Sequence, residues 1–125
     1  MLAVTAVAAS ANERSEKMDA AAFKISELKQ RQVESERPYL PFINEPTLST
    51  GLYVLPVGAE DTQQPHDQDE VYHVLSGRAK FIAGDEEYLV SEGSVLFVKA
   101  RVEHRFTDIT EDLTVLVFFS TAESE

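Results

Sequence analysis

The stretch from Leu48 to Phe119 predicts an all-β domain, an antiparallel sandwich or barrel, and three observations carry that reading. Seven short runs of four to seven residues are rich in Val, Phe, Tyr and Leu, which suit a pleated, half-buried surface. Turn residues separate them at intervals of about ten residues: Gly58, Ser76-Gly77, Gly84-Asp85 and Glu92-Gly93. The gaps are too short for the crossover helices that parallel strands need.

Taken in order, residues 1–18 read as a disordered, Ala-rich leader. Leu2–Ala9 is apolar and Ala9-Ser10-Ala11 looks like a cleavage site, but a positive n-region and a longer apolar core are missing. The reading is therefore a cytoplasmic protein with one domain over 19–120, and Met18 is a candidate start. Phe23-Lys24-Ile25 reads as a brief strand, and Ser26 as the N-cap of a short N-terminal helix through about Val33. Pro38 and Pro41 end that pattern and leave Tyr39-Leu40 and Phe42-Ile43 extended. The strands then follow as Leu52–Val57, Val71–Leu75, Arg78–Ala83, Glu87–Val90, Ser94–Val98, His104–Asp108 and Leu113–Phe119. Phe81, Tyr88, Phe97 and Phe106 read as core. Leu113–Phe119 is apolar at nearly every position, as in a strand covered on both faces. Cover for its outer face points to a second subunit, and so to a homodimer. Residues 121–125 read as a flexible tail.

Composition narrows the function classes. Eleven Lys and Arg against twenty-two Asp and Glu leave a net charge of −11, which disfavours nucleic acid and polybasic membrane contacts. No cysteine is present, so disulfides, thiolate metal sites and Cys nucleophiles are excluded. No apolar run approaches the roughly 20 residues that span a bilayer.

Two stretches carry chemistry, Gln64–Gly77 and Gly93–His104. His66 and Glu70 would lie about 13 Å apart in one straight strand. They can share an ion only if Asp67-Gln68-Asp69 turns, and those residue types favour a turn. With His104, two imidazoles and a carboxylate would form the facial triad used by non-haem iron, and also by Zn or Mn. Period-2 alternation turns Tyr72 inward with Glu70, where its hydroxyl could donate to a substrate, and turns His73 outward. Lys99, Arg101 and Arg105 flank His104, either as a rim that steers a carboxylate or as solvated residues paired with nearby acids.

The two stretches resemble the paired motifs of the cupin superfamily over about residues 48–119. Gly58 leads to Gln64 in the first His position, His66 in the second, Glu70 after three intervening residues and Gly77 after six more. In the second motif Gly93 leads to Lys99-Ala100-Arg101 and then His104, with Lys99 and Arg101 where Pro and Gly are usual. The chain is similar to small bacterial single-domain cupins of unassigned activity. The resemblance implies a double-stranded β-helix, or jelly-roll barrel, with one divalent transition metal ion (Zn, Fe, Mn or Ni) on His66, Glu70 and His104. It leaves Gln64 as a fourth ligand through its amide oxygen, with water as the alternative. It further implies a metal-dependent enzyme, dioxygenase- or isomerase-like, acting on a small organic molecule inside the barrel. The alternatives are a non-catalytic metal or ligand-binding module and a structural domain with an empty barrel.

Overall fold

The computed structural model describes residues 19–121; the leader over 1–18, the candidate start Met18 and all but the first residue of the tail over 121–125 lie outside the described residues. Among the described residues the elements are α1 (Ile25–Ser35), β1 (Tyr39–Glu45), β2 (Leu48–Leu55), β3 (Glu70–Ala83), β4 (Glu86–Ser91), β5 (Val95–Val98) and β6 (His104–Phe119). All pairings are antiparallel, in the order β1-β2-β6-β3-β4, with β5 beside the first part of β3. No described helix is long and apolar enough to cross a membrane.

The entrance to α1 differs from the sequence reading. Phe23–Ile25 does not form a strand, and the N-cap is Lys24 rather than Ser26, with no side-chain cap bond. Packing overrides the capping preference here. The Phe23 ring meets the Phe42 ring of β1 edge-on at 4.9 Å, and Leu28 is buried, so contacts with the sheet set where the helix begins. Glu36 ends the helix in the left-handed region (φ 60), its N–H donating to the Val33 carbonyl.

The central strands are longer than the sequence suggests. Ser76-Gly77 is not a turn: Val71–Leu75 and Arg78–Ala83 merge into the 14-residue β3, and His104–Asp108 and Leu113–Phe119 merge into the 16-residue β6. Their pairing stays continuous because register shifts fall between Val74 and Ser76, Ser76 and Arg78, and Arg78 and Lys80. Each extra residue changes which parity faces inward. In β3 the buried set runs Glu70, Tyr72, Val74 before the shifts and Ala79, Phe81 after them. In β6 it runs His104, Phe106 and then Ile109, Leu113, Val115, Val117. Asp108, at φ 50, marks the break in β6. Both strands thereby keep one side on the core while β3 pairs β5 at Glu70–His73 and β4 at Arg78–Ala83.

Tyr72, Phe81 and Phe106 form the aromatic centre of the core, with centroids 4.7–5.4 Å apart. Tyr88 and Phe97 are not core. Tyr88 lies opposite Phe81, but β4 is the end strand of the sheet and leaves the ring 46% exposed. Phe97 precedes the inward Val98, faces out and is 63% exposed.

Gly77 sits at φ 106, and a Cβ there would meet the Asp112 carbonyl and the Leu113 Cα, backbone that cannot yield. Gly58, at φ 80, has open space around it. Gly77→Ala should therefore destabilise the fold by more than Gly58→Ala, for which backbone strain alone predicts about 1–2 kcal/mol. Urea unfolding of the two variants measures the difference.

Candidate metal centre

His66 and Glu70 reach one point because the chain bends at Asp67 and Gln68, and its neighbours hold the bend. The Ala100 N–H donates to Asp69 Oδ1 (2.8 Å) and the Arg101 N–H to the His66 carbonyl (2.6 Å). Asp69 and Ser120 exchange two bonds: the Asp69 N–H to Ser120 Oγ (3.1 Å) and the Ser120 N–H to the Asp69 carbonyl (3.0 Å). Arg101 adopts φ 69, so this turn takes a left-handed conformation with an arginine where glycine would sit with less strain. Glu70 opens β3 and His104 opens β6.

The three side chains converge. His66 Nε2 and His104 Nε2 lie 3.3 and 3.2 Å from Glu70 Oε2, and potential ligand atoms of all three fall within 4.8 Å of one another. Short as these contacts are, among the described residues neither Glu70 oxygen has a hydrogen-bond partner, and the residue is 1% exposed. The His104 tautomer gives the reason. Its Nδ1 lies 2.8 Å from the Val102 carbonyl, which can only accept, so in the neutral ring Nδ1 carries the proton and Nε2 turns a lone pair toward Glu70. A buried carboxylate facing an imidazole lone pair is unfavourable unless a proton or a metal cation lies between them. The donor set fits a divalent metal.

Burial pushes the His104 pKa down, but the Glu70 contact, the Val102 carbonyl and the carboxylates of Glu70 and Asp61 outweigh it, so the net direction is upward. A proton at Nε2 answers the same need as a metal and competes with it. Burial, reinforced by Glu70, raises Tyr72 far above the ordinary phenol range and Tyr39 to about 12, which keeps both as neutral donors.

Other sequence candidates fall in different places. Tyr72 faces inward at the centre, its hydroxyl donating to Gln63 Oε1 (3.1 Å). His73 lies across from Leu116 and Val95 on the opposite side of the sheet. Gln64 is exposed and lines a second cavity with His104 and Arg105. Its neighbour Gln63 is the amide that meets the imidazoles, Oε1 lying 3.2 Å from His104 Nε2 and 3.5 Å from His66 Nε2. The sequence reading missed Gln63 because the segment before Glu70 is not a strand, and no alternation tells which glutamine points inward.

Beside the centre is a cavity of about 220 Å³ lined by Tyr39, Tyr53, Gln63, His66, Val117 and Phe119 among others. The Tyr39 ring lies directly over Gly51 and meets Tyr53 edge-on at 6.0 Å.

A family model described as a cupin domain matches residues 51–119. An uncharacterized protein of Streptomyces coelicolor is 48% identical over 103 residues, covering 82% of this chain and 98% of its own. A solved cupin from Methanocaldococcus jannaschii, with a double-stranded β-helix fold, superposes with a TM-score of 0.64 at 14% identity, over 84% of this chain and 93% of that one. A DMSP lyase from Ruegeria pomeroyi superposes with a TM-score of 0.59 at 20% identity, over 65% of this chain and 42% of that one.

Gly51 leaves no room for a Cβ under the Tyr39 ring. Gly51→Ala should displace that ring and destabilise the protein by about 1–3 kcal/mol, the usual range for overpacking. The double variant with Tyr39→Ala should recover most of the loss. Denaturant titration of the single and double variants checks this.

Proposed function

The chain belongs to the cupin family, and from the donor set at its centre we propose that it holds one divalent transition metal ion on His66, Glu70 and His104 and acts there as an enzyme on a small organic molecule. The observation that carries this reading is Glu70, a buried carboxylate with no hydrogen-bond donor and two imidazole nitrogens against it. Bound there, the metal would supply Lewis-acid polarisation of a substrate oxygen, or a place for dioxygen. The chain's own residues do the rest. The walls at Val117 and Phe119 take the apolar part of a small substrate, with His66 and Gln63 at the metal-facing side of the cavity. Tyr72, held neutral, donates a hydrogen bond at that boundary and is the candidate catalytic group. A fold that also carries a DMSP lyase is compatible with lyase or isomerase chemistry as well as with oxygen use.

Metal analysis tests the reading. After supplementation with Fe, Mn, Ni and Zn, the parent protein should carry about one ion per chain. His66→Ala and His104→Ala should be empty yet folded, because the domain has its own apolar core and does not depend on the metal to fold. His73→Ala should match the parent. Stoichiometric metal in His104→Ala, or none in the parent, sinks the assignment.

We also propose that the protein is a homodimer, in keeping with the two-sided apolar character of β6. Helix α1 packs on β1 and β2, where Thr50 and Leu52 are buried. The rows Leu116–His73–Val95 and Phe118–Val71–Phe97 continue that side of the sheet beyond the helix. They end on Val95 and Phe97, 66% and 63% exposed. A second copy would cover this apolar strip. Light scattering should give about twice the 13.9 kDa chain mass, and Phe97→Arg should return the monomer value. A parent protein that scatters as a 13.9 kDa particle refutes the dimer.

A further inference from the structure

We propose that the Gln63 amide oxygen is a fourth protein ligand of the metal and that Asp61 is the residue that aims it. This rests on the metal reading above and adds a ligand from a position the motif pattern does not mark. Four electron-pair donors meet at one place: His66 Nε2, His104 Nε2, Glu70 Oε2 and Gln63 Oε1. An amide beside a buried carboxylate and a lone pair would gain most by turning its NH2 toward them. Gln63 is turned the other way. Its Nε2 donates to Asp61 Oδ2 at 2.7 Å, and since a carboxylate only accepts, the end of the amide facing Asp61 must be the nitrogen. The carbonyl end is thereby aimed at the imidazole nitrogens of His66 and His104, the two that also face Glu70 Oε2. With a cation there, it completes an N2O2 donor set suited to a first-row divalent ion.

Asp61 is built to hold that orientation. It is 7% exposed and accepts from the Tyr53 hydroxyl (2.7 Å), the Phe106 N–H (2.9 Å) and the Gln63 N–H (3.4 Å) as well as the Gln63 amide. Bonds from β2 and β6 therefore fix a carboxylate that touches no ligand nitrogen itself. Asp61 is a positioning residue acting through Gln63. The Tyr72 hydroxyl, donating to the same Oε1, supports the oxygen from the side of the core.

The test is titration of the metal-free parent and of variants with Co2+ and Zn2+, followed by the visible absorption of the Co2+ forms and by thermal unfolding of the metal-free forms. Gln63→Leu should weaken Co2+ binding by about tenfold or more and change its visible spectrum, while Gln63→Glu, which keeps an oxygen in place, should still bind. Gln64→Leu should leave affinity and spectrum unchanged. Asp61→Asn should weaken binding by roughly 10–100-fold, the range for residues that orient a ligand, and should also alter the Co2+ spectrum, which a loss of stability alone would not do. Because Asp61→Asn removes structural bonds too, the Gln63 pair decides the ligand if that variant fails to fold. A parent that binds metal alongside a Gln63→Leu variant of equal affinity and spectrum overturns the Gln63 proposal and leaves the three-residue site standing. A parent that binds neither ion overturns both.

Discussion

The buried carboxylate of Glu70 is the constraint around which the site is organised. Among the described residues neither oxygen has a hydrogen-bond partner, and the Nε2 atoms of His66 and His104 lie 3.3 and 3.2 Å from Oε2. Leaving such a group unpaired is among the more expensive arrangements a small domain can contain. Two bonds nearby turn donors away from it. The Val102 carbonyl holds the His104 proton on the far nitrogen, and Asp61 holds the Gln63 NH2 away. Donors that could have neutralised the site are bound elsewhere, as expected of a place kept for a cation.

Getting these side chains to one point depends on the long strands and their irregularities. Glu70 opens β3 and His104 opens β6, yet both strands must also bury Phe81 and Phe106, or Leu113 and Val115, further along. A regular strand of 14 or 16 residues would put the same parity inward throughout. The register shifts around Gly77 and the break at Asp108 change that parity once in each strand. One end of the sheet can then serve the polar centre while the other serves the core. The bend at Asp67 and Gln68 performs the equivalent task for His66, braced by backbone bonds from Ala100, Arg101 and Ser120.

The departures from the usual second motif are absorbed by the same bracing. Arg101 takes the positive φ that a glycine would accept more easily, and its N–H still reaches the His66 carbonyl. The turn before His104 is thus maintained by bonds to the first motif rather than by its own residue types.

The sequence by itself determined the all-β class, the opposite facing of His73 to Glu70 and Tyr72, and a bend-favouring Asp67-Gln68-Asp69 between His66 and Glu70. Each is local: alternation and turn propensity act over a few residues and leave a pattern in the chain. The tertiary structure decided what depends on distant partners. Phe42 and the sheet beneath Leu28 start the helix at Lys24 instead of Ser26. Pairing with β6 turns Ser76-Gly77 from a turn into a bulge. The end position of β4 exposes Tyr88. Gln63 rather than Gln64 faces the imidazoles because Asp61, itself held by Tyr53 and the Phe106 backbone, grips its amide. Between two adjacent glutamines in an irregular loop no periodicity distinguishes inside from outside, so the choice falls to a hydrogen bond that exists only once β2 and β6 are in place.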